Sequence, residues 1–97
     1  MYRLALIGCG KMGQALLHGI TRSGIIAGSD ILVCDLDRAP IAETLDETGA
    51  AFTTSTMDVA KQASAILVAV KPKDVPALFM DLPPGMMADK LVISVAA

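Results

Sequence analysis

Leu4-Ala5-Leu6-Ile7-Gly8-Cys9-Gly10-Lys11-Met12-Gly13 is an apolar run that breaks into G-x-G-x-x-G and passes directly into a helical pattern. The order carries more than the glycines themselves. Gly8 permits a tight turn out of a strand, Gly10 lets backbone approach a pyrophosphate, and Gly13 lets the following helix pack close to a sheet. The helix then presents free N–H groups and the positive end of its dipole to phosphates. The competing reading is a tight strand–helix turn that holds no ligand. The strand before the glycines and the helix after them favour a dinucleotide site.

Composition narrows the class. The chain has 97 residues, enough for one domain, and is 54% hydrophobic, with a mean hydropathy of +0.59. Such a chain fits an α/β protein whose parallel strands are buried on both faces. No apolar run approaches the roughly 18 residues of a membrane helix. The start shows no charged segment followed by an apolar core and a cleavage site, so a cytoplasmic protein is expected, with Cys9 and Cys34 as reduced thiols. Their spacing is not that of a zinc site. The net charge of −2 is scattered, which leaves no nucleic-acid footprint.

Outward from the glycine turn, strand and helix patterns alternate. Arg3 to Ile7 reads as the first strand. Lys11 to Arg22 reads as a helix, with Met12, Ala15, Leu16, Gly19 and Ile20 recurring at helical spacing and Gly24 as the left-handed stop. Ile31 to Cys34 is a short apolar strand. Asp37 caps a helix that tolerates Pro40 in its first turn, carries Ile41 and Leu45, and stops at Gly49. Ala51 to Thr53 is a third strand. Ser55-Thr56-Met57-Asp58 reads as a capping box opening a helix to Gln62. Ala65 to Val70 is an apolar strand ended by Lys71-Pro72, since proline cannot donate to a sheet. Val75 to Met80 reads as a helix, Leu82 to Gly85 as a loop, and Leu91 to Val95 as a last strand of buried type. The alternation predicts right-handed crossovers and a Rossmann-like α/β fold: a doubly wound, mostly parallel sheet with helices on both faces.

In such a sheet the ligand lies beyond the carboxyl ends of the strands. Four strand ends could border that crevice: the glycine turn, Asp35, Val70-Lys71-Pro72, and Val95-Ala96-Ala97. Asp35 stands 22 positions after Gly13, where a carboxylate accepts hydrogen bonds from an adenosine ribose and favours NAD. Arg38 stands where a guanidinium could instead hold a 2′-phosphate and favour NADP. The bland alternative is an Asp35–Arg38 surface pair. Backbone carbonyls near Val70 and Lys71 could form a wall for a nicotinamide ring, or the Lys71-Pro72 pair could simply end the strand. His18 reads as a solvent-facing helix residue rather than a base, Met80, Met86 and Met87 as adaptable packing, and Cys9 as a small residue filling the turn. No catalytic residue and no metal set is evident.

Three blocks, Ile7-Gly8-Cys9-Gly10-Lys11-Met12-Gly13, Ala69-Val70-Lys71-Pro72 and Val92-Ile93-Ser94-Val95-Ala96-Ala97, resemble pyrroline-5-carboxylate reductases in order and spacing. The resemblance spans residues 1–97 but only the N-terminal, dinucleotide-binding domain of that family. It implies NAD(P)H-dependent reduction of 1-pyrroline-5-carboxylate to L-proline, a step of proline biosynthesis. It also implies a C-terminal helical domain that dimerises and supplies most of the substrate pocket, so a homo-oligomer is expected only of the full-length protein. By position, Ile7 to Met12 would hold the pyrophosphate, Asp35 would sit by the adenosine ribose, and Ala69 to Pro72 with Val95 to Ala97 would line the nicotinamide side. The family often has Asn at the Thr56 position, near the adenosine end, and an acidic residue where Ser64 stands. Two other readings stay open: a reductase of the same group acting on a different imine or a hydroxy acid, and a non-catalytic nucleotide-sensing domain.

Overall fold

Residues 1–70, 73, 76, 80 and 90–94 are described by a computed structural model of the chain. The apolar runs become strands where burial on two faces rewards β-branched and aliphatic side chains. They are β1 (Leu4–Ile7), β2 (Ile31–Cys34), β3 (Ala51–Thr53), β4 (Ala65–Val68) and β5 (Leu91–Ser94). Between them stand α1 (Lys11–Ser23), α2 (Ala42–Thr48) and α3 (Thr56–Gln62). The strands form one sheet in the order β3-β2-β1-β4-β5, and every registered pair is parallel. The chain winds outward from β1 in one direction through β2 and β3, then restarts on its other side with β4. The expected doubly wound α/β fold is therefore present.

The two-residue period of the strands sorts their side chains into two cores. Ala5, Ile7, Leu32, Cys34, Ile66 and Val68 pack with Val59 and Ala63 at α3. Leu6, Ile31 and Val33 pack on the opposite face with Leu17 of α1 and with Ile41 and Leu45 at α2. Each fully buried Leu or Ile contributes about 1.5–3 kcal/mol relative to exposure. Helices thus cover both faces, and the carboxyl ends of β1, β2 and β4 are left at one rim.

Helix ends follow the predicted chemistry. Gly24 and Gly49 close α1 and α2 with φ of 77° and 78°, where a Cβ would be strained. Asp37 departs from it: it accepts from the Ala39 N–H at 3.1 Å in a turn ahead of the helix, and the capping positions are Arg38 for the 3₁₀ turn and Ile41 for α2, neither with a side-chain bond. Pro40 lies in a 3₁₀ turn, Ala39–Ile41, that leads into α2. The capping box at α3 is only half formed. Ser55 Oγ accepts from the Asp58 N–H at 3.3 Å, but the Asp58 carboxylate does not reach back to Ser55. The Thr53 hydroxyl stands between them, donating to Asp58 Oδ2 at 2.7 Å and accepting from the Ser55 N–H at 3.1 Å. An Asp side chain is one methylene shorter than the usual Glu, and Thr53 fills the gap.

Several expectations are corrected. The stripe buried on α1 is Gly13 and Leu17, flanked by half-buried Leu16 and Ile20; Met12, Ala15 and Gly19 are exposed. The apolar set is broad enough to fit two faces, and packing against the sheet, the glycine turn and α2 selects one. β4 ends at Val68, two residues early, because Ala69 and Val70 turn along the glycine loop. β5 is an exposed edge rather than a buried strand, with Leu91 at 61%. Met80 is exposed as well. The bridge of Tyr2 with Ala63 and the 3₁₀ turn Gly28–Asp30 were not foreseen. The helix expected over Val75 to Met80 and the loop over Leu82 to Gly85 lie outside the described residues, except at 76 and 80. No helix among the described residues is long and apolar enough to cross a membrane.

Candidate functional site

The site is built from the strand ends inward. At the end of β1, the Gly8 N–H donates to the Cys34 carbonyl at 2.8 Å, and the Ile7 carbonyl accepts from the Ala69 N–H at 2.8 Å. The glycine turn is thereby stitched to the rims of both neighbours, β2 and β4. These lie on either side of the point where the winding reverses, which is where open α/β sheets form a ligand crevice.

The three glycines have separate physical reasons. Gly8 has φ of +89°, and a Cβ there would collide with the Val70 side chain and stand 2.9 Å from the Ala69 carbonyl oxygen. A Cβ on Gly13 would stand 2.5 Å from the Gly8 carbonyl oxygen, so α1 can seat against the turn only if that residue is bare. Gly10 is different. A Cβ there would meet nothing within 4 Å, and its backbone is extended at the N-terminus of α1. Gly8 and Gly13 are closed by the protein; Gly10 opens outward. That is the division the motif requires if a pyrophosphate is to lie over the middle glycine. Lys11 and Met12 follow as exposed residues of the first turn, while Ile7 and Cys9 are buried beneath.

Asp35, immediately after β2, is fixed by two backbone donors. Its Oδ2 accepts from the Cys9 N–H at 2.8 Å and its Oδ1 from the Leu36 N–H at 2.7 Å. The carboxylate is thus part of the glycine turn as well as a group at the crevice rim. The Asp35–Arg38 pair weighed from sequence is not what forms. Arg38 Nη2 lies 3.8 Å from Asp46 Oδ1 of α2, an exposed contact of little strength, because the turn after β2 carries Arg38 toward the helix. The Asp35 N–H donates to the Thr53 carbonyl at 3.3 Å, which brings Thr56, the first residue of α3, to the same rim in a half-buried position. Ala69 is buried and Val70 half-buried beside Gly8. The register that sets Val68 opposite Ser94 aligns the ends of β4 and β5. Lys71, Pro72, Val95, Ala96 and Ala97 lie outside the described residues.

Two polar residues of the site were not singled out from sequence. Gln14 Nε2 donates to the Cys9 carbonyl at 3.3 Å, and the Thr44 hydroxyl of α2 donates to Gln14 Oε1 at 2.9 Å. The sequence signal is slight: one amide in an apolar helix, with its partner thirty residues away. His18 is half-buried rather than solvent-facing, with Nε2 3.7 Å from Glu47 Oε1, because α2 packs beside its helix.

Both cysteines are buried free thiols. Burial, aided by the nearby Asp35 carboxylate, pushes the Cys9 thiol up from 9.0 to about 11. Burial, then Asp35 and Asp58, do the same to Cys34. The folded thiols hold their protons more tightly than the unfolded ones. Stability from this source is complete below pH 9 and is lost as pH rises through about 11. Iodoacetamide at pH 7.5 is expected to leave both thiols unmodified in the folded chain and to alkylate both in urea. Mass spectrometry that finds rapid native labelling of Cys9 would contradict its assignment as a turn filler.

A parallel sheet whose winding reverses beside a glycine turn defines a Rossmann-type α/β domain. The model of the family described as NADP oxidoreductase, coenzyme F420-dependent, matches residues 3–97, and the chain belongs to that family. It is 33% identical to a pyrroline-5-carboxylate reductase of Escherichia coli, over 98% of this chain and 35% of the relative. Among solved structures, it is similar to Plasmodium falciparum pyrroline carboxylate reductase with NADP bound, with a TM-score of 0.79 and 26% identity, covering 98% of this chain and 33% of that one. It is equally similar to an imine reductase variant from Myxococcus stipitatus in complex with NAD+, with a TM-score of 0.79 and 28% identity, covering 99% of this chain and 32% of that one. The chain spans about a third of the length of the curated relatives it matches.

Proposed function

We propose that this chain is the cofactor-binding portion of an NAD(P)H-dependent enzyme that reduces 1-pyrroline-5-carboxylate to proline. The observation that carries the reading is the joint one of an outward-opening Gly10, closed Gly8 and Gly13, and a fixed carboxylate at the end of β2. The similarity to pyrroline-5-carboxylate reductases over nearly the whole chain supports it.

The residues present fit a nicotinamide dinucleotide. Backbone from Gly8 to Gly13, including the first turn of α1, would hold the pyrophosphate. Asp35 would face the adenosine ribose, with Arg38 and Thr56 on the same side. Ala69 and Val70 would begin the nicotinamide wall, to which the resemblance also assigns Lys71, Pro72 and Val95 to Ala97. When bound, the nicotinamide supplies a hydride to the carbon of a C=N bond. This chain's own part is to bind and orient. The positive end of α1 would face the phosphates, and the sheet rim would shield one side of the ring from water.

Reduction also needs a proton for the imine nitrogen and donors for the substrate carboxylate. The resemblance to pyrroline-5-carboxylate reductases implies that a C-terminal helical domain supplies most of that substrate pocket. The polypeptide of residues 1–97 is therefore expected to bind NADH or NADPH, seen by quenching or transfer of nicotinamide fluorescence, and to form no proline from 1-pyrroline-5-carboxylate. Turnover by this polypeptide would overturn the division of labour. Failure to bind either coenzyme would overturn the reading itself.

A second reading is reduction of a different imine, favoured by the comparable similarity to the Myxococcus stipitatus imine reductase. Assay of a panel of cyclic imines against a polypeptide that includes the substrate-binding part separates the two. A nucleotide sensor would instead bind NADH, ADP-ribose and AMP with equal affinity.

A further inference from the structure

We infer that Gln14, held by Thr44, is a positioning residue that aims the Gly10 N–H into the phosphate site. The inference rests on the dinucleotide reading above and gives a role to two residues that the motif does not include.

Cys9 is restrained at both ends. Its N–H is held by Asp35 and its carbonyl accepts from Gln14 Nε2. That carbonyl belongs to the Cys9–Gly10 peptide, whose other polar group is the Gly10 N–H. In a trans peptide the two groups point in opposite directions, and the described chain has no cis bond. Drawing the carbonyl toward Gln14 therefore turns the Gly10 N–H away from α1 and toward the open side of the turn. Among the described residues it finds no hydrogen-bond acceptor there.

The amide of Gln14 could act either way round. Its oxygen toward Cys9 would repel the carbonyl and favour a flipped peptide. With the peptide as it stands, the Cys9 carbonyl can only accept, so Nε2 faces it, and the Thr44 hydroxyl holds the amide there by donating to the remaining Oε1 at 2.9 Å. Thr44 is the one buried polar side chain among the described residues, at 5% exposure. Its position is explained if its task is to fix that amide, since burying a hydroxyl without a partner would cost about 1–3 kcal/mol. The Gln14 N–H also donates to the Gly10 carbonyl at 2.9 Å, so the same residue restrains both faces of the turn's midpoint. A peptide free to flip would present a carbonyl oxygen to a phosphate and repel it.

The test compares ligands with and without a diphosphate, using the 97-residue polypeptide labelled with 15N-glycine. Gln14→Met keeps length and packing but cannot donate; Thr44→Val keeps shape but cannot hold the Gln14 amide in place. Each is expected to lose about tenfold in affinity for ADP-ribose, the scale of one hydrogen bond to a charged group, while adenosine affinity stays within twofold. In the unaltered chain inorganic pyrophosphate should move the Gly10 amide proton downfield, and in both variants that movement should be lost while the rest of the spectrum is kept. Unchanged ADP-ribose binding in Gln14→Met, or equal losses for adenosine and ADP-ribose, would overturn the positioning role and leave the dinucleotide reading standing. If the unaltered chain binds neither ADP-ribose nor NADH, the reading falls, and this inference falls with it.

Discussion

Gly8→Ala is expected to destabilise the chain by about 3 kcal/mol, combining the cost of positive φ for a residue with a Cβ and the strain of an overfilled contact. In a domain of this size that corresponds to a fall in Tm of roughly 12–24 °C. The added methyl would press on the Val70 side chain and the Ala69 carbonyl, so the seam between β1 and β4 must part. Gly10→Ala is the informative contrast. Its backbone is extended, with φ of −73°, and its Cβ direction is empty. Stability should stay within about 0.5 kcal/mol, while dinucleotide affinity should fall at least about tenfold if a pyrophosphate lies over that position. Thermal denaturation and NADH fluorescence titration on the same samples separate the two outcomes. Wild-type affinity in Gly10→Ala would remove the pyrophosphate from the middle glycine, and wild-type stability in Gly8→Ala would show that the turn is laxer than described.

Asp35→Ala is expected to weaken NADH far more than NADPH. The carboxylate is tethered by the Cys9 and Leu36 N–H groups, so it cannot easily swing aside for a 2′-phosphate, and Arg38 is turned toward Asp46. If the carboxylate receives the ribose hydroxyls as proposed, removing it takes away a charged acceptor worth about 1.5–3 kcal/mol, or about 10–100-fold in affinity. For NADPH the same change also removes a repulsion, so the net loss should be several-fold at most. The alanine leaves the buried Cys9 N–H without an acceptor, at a cost of about 1–3 kcal/mol in stability. Asp35→Asn retains an oxygen for that N–H but turns its NH2 toward the Leu36 N–H: it should cost less stability than the alanine and still shift preference toward NADPH. Parallel titrations with both coenzymes read the ratio, and a greater loss for NADPH in either variant would reverse the ribose assignment.

Much of the rim could be read from residue order alone. Gly8, Gly24 and Gly49 occupy left-handed backbone because glycine is nearly the only residue that does so without cost, and each was placed by its neighbours in the chain. The strand segments announced themselves as apolar runs because both faces of a parallel sheet are covered. What misled was pattern without context. An apolar helix such as α1 offers more than one plausible buried face, and packing against the glycine turn, the sheet and α2 selected Gly13 and Leu17 over Met12 and Ala15. β5 carries the same composition as the central strands yet lies exposed at the sheet edge, since composition does not say how many neighbours a strand has.

The sequence by itself determined the alternation of elements, the parallel α/β class, the glycine turn and the presence of an acid at the end of the second strand. These are local properties, set by allowed φ, side-chain period and capping within a few residues. The tertiary structure decided which groups meet. Asp35 accepts from Cys9 across 26 positions and Thr44 holds Gln14 across 30. Those meetings depend on strand order and register, to which no single segment is committed, because they arise only when β2 and α2 pack against β1 and α1.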